Sequence, residues 1–460
     1  METEDKRALQ EGLVVAAVAA LVRGAVLLWV VQEAVPVADG LYYHRLASRL
    51  AEGAGYTWPW PDGVVTPAAH YPVGYPFLLS LVYRVTGPQA AAGALLNWAL
   101  GVAGVAAVQA MVRRFAGRRA GLAAGLLAAL DPATVLYTPA LMTEGVTASL
   151  TAVAVWLVGV ASTAERRRGA WWGAAAAVLG LLTLIRPQCL LLAPLLGLLS
   201  PPSARQGEGG RRGEVALLLT LGALLVCLPW TVRNCLRMDR CTLVSANGGW
   251  NLLIGAGPKA TGHWAPVDVP PECREVFPEV EKDLCFGRAA RRIIWEDPGR
   301  WLGLVPAKLG ATFDYCGAGP WYLHEAAPGV VSQERKVQAG VVETVVRRLM
   351  LLGALAGLAR GQGGVGKLLG GLGGVLALTR SGWMAYVVLT VLAAVRWGRD
   401  RRCFPAGALV GVLGTTLLVH GVFFGAGRYG LVVSPLIAAC AGALLTKTGS
   451  RGDTEGHAPD

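Results

Sequence analysis

The stretch LVVAAVAALVRGAVLLWVV, residues 13–31, carries one charge and shows no alternation of polar and apolar positions. A continuous apolar run of this length matches the roughly 20 residues that a helix needs to cross a hydrocarbon core. It is followed by Asp39-Gly40-Leu41-Tyr42-Tyr43-His44 and then Tyr71-Pro72-Val73-Gly74-Tyr75-Pro76, a polar, aromatic and proline-broken segment that cannot itself cross lipid. A span delivering a carboxylate, a histidine and aromatics to one membrane face is the pattern of a water-accessible site.

Runs like the first recur at 90–111, 120–137, 141–161, 170–185, 188–199, 215–230, 383–397, 404–424 and 429–445. Only helices or closed barrels satisfy their backbone in lipid, and runs that are continuous rather than alternating select helices. The chain of 460 residues is 54% hydrophobic and only 16% charged, with a mean hydropathy of +0.47, too apolar for a soluble protein of this size. The fold class expected is therefore an all-α polytopic membrane protein with about ten transmembrane helices.

The formal net charge of +12 does not point to nucleic acid, because the arginines gather in short connectors at 113–119, 165–168, 203–214 and 396–402. With the N-terminus inside, all four fall on the cytoplasmic side, as the positive-inside rule requires. The outside then receives two long segments, 36–87 and 231–380, together with tight turns near Pro139, Arg186 and Gly427. Lys6 and Arg7 are mixed with Glu2, Glu4 and Asp5, so the first span reads as a retained anchor rather than a cleaved signal. Three regions are expected: 1–230 with the N-terminal membrane helices and the first outer loop, 231–380 as a long outer segment, and 381–460 with the C-terminal membrane helices. Residues 341–378 are ambiguous, since apolar 349–358 is flanked by Arg347, Arg348 and a glycine-rich stretch at 361–374. They read either as a surface-lying amphipathic helix or as two further crossings, which would make twelve spans without altering the later orientation.

Of nine cysteines, Cys235, Cys241, Cys273, Cys285 and Cys316 fall in the long outer segment, the oxidising side in bacteria. Cys273 with Cys285 and Cys235 with Cys241 are the expected disulfides, leaving Cys316 over. No CxxC pair or Cys/His spacing indicates structural zinc.

Several polar residues at span ends are candidates for chemistry. Asp39 reads as a general base or metal-orienting carboxylate, or equally as the N-cap of a helix over 41–50. Glu144 is either a second carboxylate at the same face or a first-turn acid favoured by the helix dipole. Asp131 reads as a solvated helix end before Pro132. Arg186, Arg233 and Arg428 each end a span on the outer side, where a guanidinium fork suits phosphate and the alternative is snorkelling to headgroups. Arg23, midway through the first span, calls for a partner inside the bundle. The stretch 245–255 combines Asn247, Trp250 and Asn251 with flexible glycines, which suits a sugar or else a tight turn.

Taken in order, these features resemble the membrane glycosyltransferases of fold type C that use polyprenyl-phosphate sugars, among them the dolichyl-phosphate-mannose protein mannosyltransferases and the bacterial lipid A aminoarabinose transferases. The resemblance rests on Asp39 with Tyr42 and Tyr43, YPVGYP from Tyr71, Leu141-Met142-Thr143-Glu144, Ile185-Arg186-Pro187, PWTVRN from Pro229, NGGWNLLIG from Asn247, and Arg428-Tyr429. It implies surface helices in the first outer loop and inverting transfer of a sugar from a polyprenyl monophosphate carrier to an acceptor outside the cytoplasmic membrane. Asp39 would be the catalytic base with Glu144 assisting, and Arg186, Arg233 and Arg428 would bind the donor phosphate. Tyr42, Tyr43, His44, Tyr75, Asn247, Trp250 and Asn251 would contact substrates. The partners implied are the lipid carrier and an acceptor that is a lipid, glycan or protein. A divalent metal is left open. The mannosyltransferases carry an Asp-Glu pair where this chain has Asp39-Gly40, which removes one acid and sets the chain apart from protein mannosylation. The rival reading is a transporter or flippase for a lipid-linked sugar or small solute, but such proteins place ionisable residues near the midplane and show internal repeats, and no repeat is seen here.

Overall fold

The computed structural model describes residues 2–202, 211–314 and 317–443. The leftover Cys316 and the last residues of the 429–445 run lie outside them. The chain begins with α1 (Glu2–Val30), which leads into a first long connection holding α2 (Asp39–Ala51), a hairpin of β1 (Thr57–Pro59) and β2 (Val65–Pro67), and α3 (Gly74–Thr86). The bundle continues with α4 (Ala90–Ala116), α5 (Arg118–Leu130), α6 (Pro132–Leu136), α7 (Thr143–Thr163), α8 (Arg168–Ile185), α9 (Leu192–Leu198) and α10 (Arg211–Arg237). A second long connection carries α11 (Gly248–Ala256), α12 (Glu279–Glu296), α13 (Pro298–Gly303), α14 (Val305–Phe313) and α15 (Ala318–Ala326). The C-terminal part comprises α16 (Gln333–Ala359), α17 (Gly363–Ala377), α18 (Trp383–Arg399), α19 (Phe404–Val422), a 3-10 turn (Gly427–Val433) and α20 (Ser434–Gly442).

The protein is an all-α polytopic membrane protein. Among the described residues, six helices are long and apolar enough to cross a membrane: α1, α4, α7, α8, α10 and α19. Their outward faces are apolar, as Leu21 and Leu28 on α1 and Leu221 and Leu225 on α10 show, all of them more than half exposed. Lipid rather than water is the solvent that makes such faces stable. The other four expected spans are shorter. The run 120–137 breaks at Asp131-Pro132, 188–199 is a 3-10 turn plus α9, 429–445 is the 3-10 turn plus α20, and α18 has 17 residues. Broken helices are tolerated at membrane depth only where protein covers them. Ala129, Leu192, Leu436 and Ile437 are accordingly buried.

The ambiguous stretch 341–378 forms a helical hairpin rather than a surface-lying helix. Gly370 of α17 packs on Ala359 and Gly373 on Leu355. Arg396 then donates from Nη1 to the carbonyl of Arg360 at 3.3 Å. The turn between α16 and α17 therefore lies beside the arginine-rich 396–402 connector, at the opposite end from the turn before α18.

Arg23 is buried and donates to the carbonyls of Ala129 (3.0 Å) and Ala128 (3.3 Å) and to Thr134 Oγ1 (3.1 Å). Its partner is the backbone that Pro132 releases where α5 stops. Asp131 is not a solvated helix end: it is 2% exposed and caps α6 by accepting from the amide of Ala133 at 3.2 Å.

The structure joins Cys273 to Cys285 and Cys235 to Cys241, closing separations of 12 and 6 residues. Each bridge is expected to contribute on the order of 2 to 3 kcal/mol. Peptide mapping under non-reducing conditions should recover both linked pairs, and reduction should lower the thermal midpoint. Cys273 and Cys285 recovered as free thiols would refute the first pair.

Candidate active site

Four segments converge at one end of the bundle: the start of α2, the start of α7, the end of α8 and the 3-10 turn at Gly427–Val433. Local sequence explains why polar groups sit there. Pro187 stops α8 at Ile185, leaving Arg186 in extended conformation as the C-cap. Thr143 and Glu144 occupy the first turn of α7, where the helix dipole favours an acid. Ala38 adopts φ +52° immediately before Asp39, a conformation that costs a non-glycine residue roughly 1 to 3 kcal/mol and is held by its surroundings. Gly74 allows α3 to lie against the end of α8, since a Cβ there would come within 2.6 Å of Ile185 N.

Arg428 joins the two carboxylates. Its Nη2 donates to Asp39 Oδ2 at 2.8 Å, and its Nε lies 3.2 Å from Glu144 Oε1 as an ion pair without hydrogen-bonding geometry. Arg186 Nη1 is 2.9 Å from the same Glu144 Oε1 and 3.2 Å from Thr143 Oγ1. Tyr137 donates its hydroxyl to Glu144 Oε2 at 3.0 Å. Both guanidinium groups lie over the ring of Tyr429, at 4.9 Å for Arg186 and 5.3 Å for Arg428, and His420 stacks on that ring at 4.3 Å. Exposure separates the two carboxylates: the side chain of Asp39 is 32% exposed and that of Glu144 only 3%.

Asp39 caps nothing. Ala38 occupies the cap position of α2, without a side-chain hydrogen bond, and the Asp39 oxygens face Arg428 and the Tyr71 hydroxyl, 3.4 Å away. Burial, and next the charge of Asp39, push the Tyr71 phenol far up, so it stays protonated and able to donate. The glycine after Asp39 also has a physical reason: a Cβ at Gly40 would meet the carbonyl oxygen of Leu141 and the hydroxyl of Tyr322 at 3.0 Å each. A second acid at this position has no room.

The remaining expected site residues divide. Tyr42 is exposed and stacks between Trp58 (5.2 Å) and Tyr71 (4.9 Å), which makes a flat aromatic array beside Asp39. Tyr43 is buried edge-on against Tyr71 and Tyr75. Tyr75 is fully buried and donates to Asn97 Oδ1, so it packs the bundle rather than facing a ligand. His44 lies 2.9 Å from the Tyr83 hydroxyl through Nδ1, and burial, then Arg45, push its imidazole down. In the second long connection Asn247 accepts from Ser245 Oγ, and Trp250 packs on Phe286 and His70. Asn251 donates its backbone amide to the Asn247 carbonyl within the first turn of α11. Among the described residues, no hydrogen bond, ion pair or ring contact joins these three directly to the arginine–carboxylate cluster.

Arg233 does not join the cluster either, which corrects the expectation that three arginines act together. Its Nη1 donates to Ala68 O (2.8 Å) and Asn234 Oδ1 (3.0 Å), and its Nη2 to Tyr56 O (2.7 Å). It ties α10 to the connection between α1 and α4. The sequence reading missed Tyr137 and His420 as site residues. Tyr137, seven residues before Glu144 across a Pro139 turn, was in principle within reach of a local argument; His420, inside an apolar helix, was not.

Among the described residues no group of three or more histidine, cysteine, aspartate or glutamate side chains is placed to hold a metal. Glu144 and Asp39 face guanidinium groups in this arrangement.

The fold is shared with known membrane enzymes. The chain superposes on the apo crystal structure of the Archaeoglobus fulgidus oligosaccharyltransferase with a TM-score of 0.51 at 16% identity, covering 94% of this chain and 50% of that one. The Archaeoglobus fulgidus oligosaccharyltransferase AglB in complex with an inhibitory peptide and a dolichol-phosphate matches with a TM-score of 0.47 at 15% identity, with the same coverage of 94% and 50%. ArnT from Cupriavidus metallidurans bound to undecaprenyl phosphate matches with a TM-score of 0.38 at 15% identity, covering 94% and 77%. The chain spans about half the length of the first of these structures. Residues 70–232 match the family described as dolichyl-phosphate-mannose-protein mannosyltransferase. That match takes in YPVGYP, Glu144 and Arg186 and leaves Asp39 and Arg428 outside it. No curated protein matches the chain.

Proposed function

We propose that this protein is a glycosyltransferase that moves a sugar from a polyprenyl-phosphate carrier to an acceptor on the outer side of the cytoplasmic membrane. The observation that carries the reading is the partly exposed Asp39 carboxylate held 2.8 Å from Arg428, beside a second arginine that shares the buried Glu144. The family matched over 70–232 and the shared fold support it. The positive connectors on the opposite side of the bundle support an outward-facing site.

In the reaction, the acceptor hydroxyl or amine attacks the anomeric carbon while Asp39 takes its proton. The bond from that carbon to the carrier phosphate breaks, and the phosphate leaves with the electron pair. A phosphate monoester is a competent leaving group once its charge is held, and Arg186 and Arg428 supply that charge from fixed positions. Glu144, too buried to reach an acceptor, positions the two guanidinium groups. Tyr71 orients Asp39, and the Tyr42–Trp58–Tyr71 array offers a ring face to a sugar. The transporter reading needs an unsatisfied polar site near the midplane, whereas Arg23, the deep charge of the first span, is bonded to two carbonyls and a hydroxyl.

Arg186→Ala and Arg428→Ala are each expected to weaken binding of a polyprenyl phosphate by about 1.5 to 3 kcal/mol, or roughly 10-fold to 150-fold. Arg233→Ala should leave that affinity within about threefold of wild type and lower thermal stability, because its donors hold the loop backbone. Titration of purified variants in detergent with the lipid phosphate measures both. Unchanged affinity in both Arg186 and Arg428 variants would remove these residues from donor binding.

A further inference from the structure

Glu343 and Arg347 stand one turn apart on α16, and both are buried, at 1% and 3% exposure. They interrupt a helix that is otherwise apolar on its packed side, where Met350, Leu351, Ala354 and Leu355 follow. A buried ion pair stabilises a fold no better than well-packed apolar side chains do, so packing alone does not account for the two charges. Their hydrogen bonds lead to the active site from two sides. Arg347 donates from Nη2 to the carbonyl of Gly430, two residues after Arg428, and from Nε to the Tyr386 hydroxyl at 3.3 Å. Gly430 is small enough to admit this approach: a Cβ there would come 2.9 Å from Arg347 Nη2 and 2.7 Å from Thr312 O. Glu343 Oε1 accepts from the amide of Gly317 at 2.8 Å, at the start of α15. That helix reaches the site twice, since Tyr322 accepts from the amide of Leu141 at 3.2 Å, three residues before Glu144, and Gly319 packs against Leu136, beside Tyr137.

We propose that Glu343 and Arg347 are positioning residues, a two-armed clamp on α16 in which Arg347 sets the segment bearing Arg428 and Glu343 sets, through α15, the turn bearing Glu144 and Tyr137. Neither touches a reacting group. The clamp makes the distance between Arg428 and Glu144 depend on one rigid helical turn, which is how preorganised charge is kept in place through a reaction. The consequence for catalysis rests on the glycosyl-transfer reading; the clamp itself does not.

The test uses the full-length protein in detergent and two readouts. Hydrogen exchange followed by mass spectrometry on Arg347→Lys should show at least tenfold faster exchange across 426–433, because a lysine cannot serve the Gly430 carbonyl and the Tyr386 hydroxyl together, while α4 and α7 stay protected. Glu343→Gln, which retains an acceptor oxygen for Gly317, should change exchange less than Glu343→Ala does across 317–323 and 137–145. Unchanged exchange across 426–433 in Arg347→Lys and across 317–323 in Glu343→Ala would overturn the clamp. In sugar transfer, Arg347→Lys should lower kcat/KM for the donor at least tenfold with KM for the acceptor within threefold. Combined with Arg428→Lys it should cost no more than Arg428→Lys alone, since both act through one group. Fully multiplicative losses would overturn positioning through Arg428, whereas a wild-type protein that transfers no sugar would overturn the glycosyltransferase reading and leave the exchange result to decide the clamp.

Discussion

Asp39→Asn is expected to reduce sugar transfer by roughly 100-fold or more while the protein keeps its fold. Asparagine has the shape of aspartate but no basic carboxylate, so it cannot take the proton of the attacking acceptor. The structural loss is small for two reasons. Asp39 makes no cap to α2, so no capping energy disappears. Its pair with Arg428 is only 32% and 24% exposed on the two sides, but asparagine keeps an oxygen that can accept from Arg428 Nη2. Arg428 also keeps Glu144 as a counter-charge. Transfer and thermal unfolding measured on the same preparation separate the outcomes: low transfer with a wild-type melting profile supports the base, and wild-type transfer in a folded Asp39→Asn protein refutes it.

Removing the other carboxylate should act the opposite way, on the fold before the chemistry. Glu144→Ala is expected to destabilise the protein by about 3 to 5 kcal/mol, the usual result of deleting one member of a buried ionic group. Arg186 and Arg428 would be left side by side over the Tyr429 ring, and the Tyr137 hydroxyl would lose its acceptor. Glu144→Gln keeps an oxygen for Tyr137 and should fall between alanine and wild type. Thermal unfolding in detergent with and without a polyprenyl phosphate gives a second reading, because an anionic ligand restores a counter-charge to the two arginines and should raise the midpoint of Glu144→Ala more than that of wild type. A Glu144→Ala protein as stable as wild type would show that Glu144 does not hold the arginine pair.

Much of the site was legible because its members stand out locally. A charged residue at the end of an apolar run is conspicuous, and Asp39, Glu144, Arg186 and Arg428 each occupy such a position. Arg233 occupies one too and looks the same in sequence. The difference between them is made by carbonyl groups: Ala68 and Tyr56 present backbone oxygens to Arg233, whereas Arg186 and Arg428 meet carboxylates. Asp131 was misread for a related reason, since Asp-Pro at a helix end usually faces water and here packs under α1 and α16. The stretch 341–378 was undecided because its glycine run is a poor lipid-facing helix, and it becomes a hairpin only when Gly370 and Gly373 lie against Ala359 and Leu355.

The sequence by itself determined the solvent, the helical class and the shortlist of polar groups at one face. Each depends on runs and spacings within about 20 residues, and hydrophobic burial in lipid reads those runs directly. Tertiary structure alone decided which members of the shortlist meet. Arg428 reaches Asp39 across 389 residues of chain, and Arg23 finds the broken end of α5 more than 100 residues away. Hydrogen-bond partners are chosen by the donors and acceptors that packing leaves unsatisfied, and a linear pattern holds no record of that remainder.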